Sequence, residues 1–311
     1  MMSARPQDFL SPAQPFFSII VPTYNRPDQL AACLQALARL EYPRHRFEVI
    51  VADDESDTSP EMVVAAFREQ FNVTLVSQSH AGPAAARNTG VARARGDFLA
   101  FTDDDCAPSP DWLKALAARL ATTPDYIIGG RTVNALRDNP YSTTSQVIID
   151  MVYEYYNADP DRARFFASNN LTVPTHRFRA LGGFDATFTA SEDRELCDRW
   201  LHEGYQMTYA PEAVVYHAHA LTLRCFLRQH FGYGRGAFRF HQIRARRASG
   251  RFRQDLKFYR HLPGILRHVF SQARGGRALF VVALLGGWQV ANAAGFVYEG
   301  VKHMMNREKH A

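Results

Sequence analysis

Short apolar runs that each end in a polar cluster, with helix-patterned segments between them, constrain this chain more than any other feature. Phe16–Val21 (FFSIIV) leads into Pro22-Thr-Tyr-Asn, Phe47–Ala52 (FEVIVA) into Asp53-Asp54, and Phe98–Phe101 (FLAF) into Asp103-Asp104-Asp105. Val73–Val76 is a further run of the same kind. Between them, Pro27–Arg39, about Pro60–Phe71, and a segment from Gly82-Pro83 to near Gly96 carry leucine and alanine at helical spacing, two of them opened by a proline suited to a first turn. Such alternation predicts a parallel sheet with helices on both faces. Ligands of these sheets sit beyond the carboxyl ends of the strands, and here those ends carry the polar residues.

The 311 residues suffice for a large core, and 46% hydrophobic with 22% charged is an ordinary globular balance, so disorder is excluded as a default. Cys33, Cys106, Cys197 and Cys225 show no pairing spacing, which suits a reducing compartment. Met1–Pro15 has no apolar signal region; the expectation is a flexible N-terminus over 1–15 and no export signal.

The acidic triplet is the sharpest local feature. Three adjacent carboxylates repel one another unless a cation offsets them. Oxygen ligands suit Mg²⁺ or Mn²⁺, which keep room for phosphate oxygens and water. A metal there would neutralise charge on a departing diphosphate. A solvated acidic turn capping a helix over Pro110–Leu120 is the plain alternative.

Taken together, Ser18–Arg26 (SIIVPTYNR), Val49–Ser56 (VIVADDES), Ala86–Asp105 (ARNTGVARARGDFLAFTDDD), Leu181–Asp185 (LGGFD), Glu192-Asp193 and Val214–His217 (VVYH) resemble, in order and spacing, the family 2 glycosyltransferases of the GT-A fold. The resemblance covers roughly Phe16–Gly236. It implies a Rossmann-like, mostly parallel α/β sheet flanked by helices, and inverting transfer from a nucleotide-sugar donor, UDP-sugar favoured. It further implies that Pro22, Tyr24 and one of Asp53 or Asp54 hold the nucleobase, and that Arg87 meets phosphate oxygens or forms a structural salt bridge. Asp105 is the expected metal ligand, with Asp103 or Asp104 on the ribose or a metal-bound water. Asn88 lies beside Arg87, on the helix after Gly82. Glu55 departs from the family, which has glycine or asparagine there, and could alter that turn.

Ser191–Gly204 reads as a helix with Asp193, Leu196, Cys197, Trp200 and Leu201 on one stripe. A carboxylate on that inward face needs a task, so Asp193 is the expected base that takes the acceptor hydroxyl's proton. Thr189-Ala-Ser-Glu192 fits a capping box, which makes Glu192 structural support. His217 and His219 alternate with Val215 on an expected strand. The resemblance makes His217 a second metal ligand and His219 a lesser candidate. Asn169 and Asn170 would line the acceptor site, or serve an ordinary turn.

A separate C-terminal region is expected over 223–311, following a transferase domain over 16–222. Phe231–Gly236 (FGYGRG) suggests a mobile loop over the donor. The net charge of +5 is concentrated: 224–277 holds thirteen arginines and one lysine against Asp255 alone. Leu256–Ala273 has the pattern of an interfacial helix on anionic lipid. Ala278–Tyr298 then runs 21 positions without a charge, which fits a membrane span or a hairpin lying on the membrane or packed in the core. The charge placement expects a cytoplasmic-side, membrane-associated enzyme acting on a lipid-linked or cell-envelope glycan, with no nucleic-acid partner. Two other classes compete. A sugar nucleotidyltransferase would show glycines where Pro22-Thr-Tyr-Asn-Arg26 stands, and a catalytically silent binding protein would not need Asp193, His217 and the triplet together.

Overall fold

The computed structural model describes residues 14–250 and 276–308. The expected flexibility of the first residues and the expected interfacial helix at Leu256–Ala273 therefore fall on segments outside the described residues.

Strands β1 (Phe17–Thr23), β2 (Phe47–Asp53), β3 (Val73–Ser77) and β4 (Phe98–Phe101) pair in parallel in the order β3-β2-β1-β4. All seven residues of β1 are buried, as a strand covered on both faces requires. Helices α1 (Pro27–Leu37), α2 (Glu61–Ala65) and α3 (Pro83–Arg93) make the crossovers. The helix expected over Pro60–Phe71 is shorter than its pattern. After Ala65 the chain tightens into turns, with Phe67 N bonding Val64 O (3.0 Å), and this brings Phe67 and Phe71 into the core together.

The second half of the sheet is mixed. β7 (Leu171–Pro174) runs antiparallel to β4, and β6 (Ile127–Asn134) antiparallel to β7. β8 (Met207–His217) is parallel to β6, and short β5 (Cys106–Pro108) closes the edge antiparallel to β8. The β6–β8 register slips at Gly130/Arg131. A Cβ at Gly130 would collide with the Ala213 carbonyl and the Asn170 side chain, so glycine is required there. One core lies on the α1 and α4 (Trp112–Leu120) side of the sheet, the other on the side of α3 and α7 (Glu192–His202).

α5 (Pro140–Tyr156) and α6 (Thr175–Ala180) precede α7, and α8 (Leu223–Arg247) and α9 (Gly276–Glu308) follow it. α8 is tied to α7 by Arg247, whose guanidinium meets Asp198 (2.9 Å) and Glu195 (2.6 Å). The loop expected at Phe231–Gly236 is instead the middle of α8. Its glycines allow close approach: a Cβ at Gly236 would strike the Ala190 carbonyl, and one at Gly234 the Asn292 carbonyl. All four cysteines are unpaired thiols.

Candidate functional site

β4 delivers the acidic triplet into a tight turn, in which Cys106 N bonds Asp103 O (3.1 Å). The chain then enters β5, whose Cys106 lies opposite His217 on β8. Pairing of edge strand β5 with β8 sets His217 Nε2 3.1 Å from Asp105 Oδ1. Those atoms and Cys106 Sγ lie within 4.8 Å of one another. Burial opposes ionisation of Asp105, but the His217 hydrogen bond and charge override it and pull its pKa down to about 2. The same contact raises His217 against its own burial. Burial pushes the Cys106 thiol well up, and a protonated thiol is a poor donor for a hard cation. Carboxylate suits one, and imidazole is a ligand for first-row divalent metals, so Asp105 and His217 together fit a Mn²⁺-type ion better than Mg²⁺.

β8 ends at His217, so His219 lies past the strand on which it was expected. Its ring nevertheless stacks on His217, with centroids 4.9 Å apart. Burial, then the His217 charge, lowers its pKa to about 4. Asp104 is held by Thr23 Oγ1 (2.8 Å), and burial raises its pKa to about 6 despite Arg26. Arg26 Nη1 bridges Asp104 (3.2 Å) and Asp105 (3.3 Å). Its side chain is 48% exposed, so it can swing into solvent.

A buried guanidinium joins this corner to the expected base. Arg87, on α3, places one nitrogen 2.6 Å from Asp103 and another 2.8 Å from Glu192. Burial alone would lower its pKa, but the two carboxylates raise it, so the charge is fixed. Losing one partner of such a buried set costs about 3–5 kcal/mol. The expected capping box does not form. Ser191 is left-handed (φ 70°) and makes no side-chain cap bond, and the Glu192 carboxylate turns to Arg87. Asp193, next along, accepts the Arg194 amide (2.7 Å). Burial, then the neighbouring Glu192 charge, raises its pKa to about 7.

At the end of the neighbouring strand β2, Asp54 accepts the Ala81 and Gly82 amides (both 2.9 Å) that open α3, and the Gln78 side-chain amide (2.7 Å). Asp53 accepts the Ser56 amide, three residues on (3.1 Å). Pro22 is buried, while Tyr24 is exposed and its ring lies 4.5 Å from that of His80, which pairs with Asp54 (3.0 Å). Glu55 keeps the left-handed turn (φ 68°) that glycine or asparagine would relax, and its carboxylate accepts the His80 amide (2.9 Å). Asn25, Glu55 and Ser191, each beside a candidate residue, hold three of the four positive-φ non-glycine positions among the described residues. Such strain concentrates at functional sites.

Of the two residues expected at the acceptor, Asn170 is taken up by structural bonds. Asn170 is fully buried, accepts Trp112 Nε1 (2.9 Å) and donates to the Arg131 and Ala213 carbonyls, locking the β6–β8 slip. Asn169 takes the Thr132 hydroxyl (3.3 Å). Asn88 holds the Phe184 backbone by two bonds (2.8 and 2.9 Å). The sequence reading missed Thr23, Arg26, His80 and Tyr233. The first two stand inside the first strand-end motif. His80 carried no signal, being brought in by the turn before α3; Tyr233 stood in the glycine-spaced segment expected to be a loop and arrives instead on α8. Tyr233 is exposed (41%), and its hydroxyl accepts Gln229 Nε2 (2.7 Å).

The sequence profile of glycosyl transferase family 2 matches residues 18–185. Glycosyltransferase AglE of Haloferax volcanii is 28% identical over 225 residues, 71% of this chain and 73% of the relative. The pre-mycofactocin glycosyltransferase of Mycobacterium tuberculosis is 28% identical over 241 residues, 75% of this chain, and the match spans 49% of that relative. Among solved structures, the mannosyltransferase PcManGT of Pyrobaculum calidifontis, in complex with GDP-Man and Mn²⁺, superposes with a TM-score of 0.65 at 19% identity, over 94% of this chain and 88% of that one. TarS of S. aureus in complex with UDP-GlcNAc superposes at 0.55 and 16% identity, over 93% and 92%.

Proposed function

The chain belongs to glycosyl transferase family 2, and from that premise we propose that it moves a sugar from a nucleoside-diphosphate donor, UDP-sugar first, to an acceptor hydroxyl with inversion. The observation that carries the reading is the Asp103–Arg87–Glu192 bridge. It joins a carboxylate–imidazole corner fit for a divalent cation to a neighbouring carboxyl whose pKa is near 7.

In this reading Pro22, Tyr24 and the Asp53-Asp54 pair receive the nucleobase, with His80 continuing the Tyr24 ring surface. Asp105 and His217 hold the cation, which when bound offsets charge on the departing diphosphate. Asp103 and Asp104 serve the ribose or a cation-bound water. Asp193 takes the proton of the acceptor hydroxyl as that oxygen attacks the anomeric carbon opposite the leaving group. Glu192 and Arg87 hold the base helix against the triplet, so both ends of the displacement are fixed by one ion-pair chain. Burial keeps Asp193 basic enough to accept a proton near neutral pH. The acceptor proposed is a glycan carried on lipid, reached from the cytoplasmic membrane surface.

A panel of nucleotide sugars, scored by thermal stabilisation with and without Mn²⁺, tests the donor reading, because a ligand bound only to the native state raises stability by mass action. The expected result is one donor class that stabilises the protein and does so more strongly with the cation. Stabilisation by none of them, with or without metal, would contradict it.

A further inference from the structure

α9 is long and apolar enough over Ala278–Asn306 to cross a bilayer. Its packing argues for another use. Its N-terminal half is buried on α5 and the start of α8 through Val281, Leu284, Leu285 and Trp288, against Ile148, Met151 and Phe226. Its C-terminal half runs beside α8. Gly234 abuts Asn292, Gly295 abuts the Phe231 carbonyl, and Arg235 pairs with Glu299 at 2.6 Å. A span would carry α8 into hydrocarbon with Arg235 and Arg239 on it, which is costly, or strip α9 from a closely fitted seam.

The opposite side of α9 is covered by nothing among the described residues. Leu279, Ala283, Val290, Val297, Val301 and Met304, with Gly286 and Ala294 between them, form one exposed stripe at spacings of three and four, with Val290 71% and Val297 63% exposed. No acidic or basic residue falls on it. The chain beside it in sequence is basic: Arg224, Arg228 and Arg246 are exposed on α8, and residues 251–277 carry six arginines and a lysine against Asp255 alone. A second copy seated on the stripe would set two such basic regions against each other. An anionic lipid surface complements both the apolar stripe and the charge.

We propose that α9 lies in the plane of an anionic bilayer, its exposed stripe among the acyl chains, and does not cross. α8 is then the spacer between lipid and the start of α7. Its Gly236 packs on Ala190 and Ser191, where α7 begins, and its Gly234 on Asn292 of α9. The first turn of α7, which carries Asp193, therefore lies about one helix diameter, roughly 10 Å, from the lipid-bound helix. A head group carried on lipid comes within reach of the base. The docking stands on the stripe and the charge alone; only the lipid-carried acceptor rests on the proposed transfer reaction.

Flotation of the full chain with phosphatidylcholine vesicles, with and without phosphatidylglycerol, tests this. Binding is expected to the anionic vesicles, to fall at high salt, and to leave a C-terminal epitope open to protease outside sealed vesicles. Val290→Glu with Val297→Glu should lower partitioning by about tenfold or more, with melting temperature and nucleotide-sugar binding unchanged. Met304→Glu is a second variant at the far end of the stripe and should lower partitioning as well. A protease-protected, salt-resistant C-terminus would overturn the proposal in favour of a span. Absence of binding to either vesicle, with or without a dimer in solution, would overturn it too, as would variants that partition like the wild type.

Discussion

Asp193→Asn is expected to bind the nucleotide sugar as the wild type does and to lose transfer by about 10²–10⁴-fold, the usual contribution of a positioned base. The substitution is nearly isosteric and keeps an oxygen for the Arg194 amide. What it removes is the site that accepts the proton. Wild-type kcat/KM should rise with pH through about 7 and then level off, because only the ionised carboxyl is a base. The variant should lack that limb. Stability should move the other way. A carboxyl whose folded pKa lies above its unfolded value of about 3.9 binds more protons when native, so the wild type loses stability as pH rises from about 4 to 7. Asp193→Asn should not lose it, and should melt higher at pH 8. Transfer within tenfold of the wild type would move the base elsewhere, and Glu192, held by Arg87, would then need re-examination by the same substitution.

Asp105→Ala is expected to abolish the part of donor binding that depends on a divalent cation, while leaving the melting temperature close to that of the wild type. Asp105 sits at the edge of the sheet and its bonds are to His217 and Arg26, so the cores do not depend on it. Calorimetric titration of the nucleotide sugar with Mn²⁺ and with a chelator reads the effect. Arg26→Gln should shift the same assay in the opposite direction. Arg26 neutralises Asp104 and Asp105 in this conformation, so a cation must compete with it. Without it, Mn²⁺ should bind the donor-free protein several-fold more tightly. Unchanged cation dependence in Asp105→Ala would remove that residue from the ligand set. Unchanged cation affinity in Arg26→Gln would show that the guanidinium is a bystander.

The sequence exposes what depends on local pattern. β1, β2 and β4 are continuous apolar runs because both faces of those strands are covered, and their polar ends fall at one edge for the same reason. Asp193 is singled out in the sequence because a carboxylate interrupts an otherwise apolar helix stripe; its role as base is part of the proposal. Features set by long-range register were not legible. No local signal tells that Cys106 faces His217, or that Arg87 reaches Glu192 across 105 positions. The capping box failed for that reason: the buried guanidinium is the stronger partner for Glu192. The asparagines at 169 and 170 resemble turn residues until the β6–β8 slip supplies three partners for Asn170. In Phe231–Gly236, glycine spacing suggested mobility, yet the same absence of Cβ atoms lets α8 touch the start of α7 and the flank of α9. Glu55 is the reverse case. The departure from family pattern is real, but the left-handed turn persists because its carboxylate gains the His80 amide.

The central claim is a single displacement in which Asp193 activates the attacking oxygen directly. Proton NMR of the first-formed sugar, recorded on the donor found by the panel before mutarotation scrambles it, tests this without knowledge of the acceptor, since water can stand in for the hydroxyl. The account predicts a product whose anomeric configuration is opposite to that of the donor. Retention of configuration would mean two displacements or a different attacking face, and would contradict the role given to Asp193.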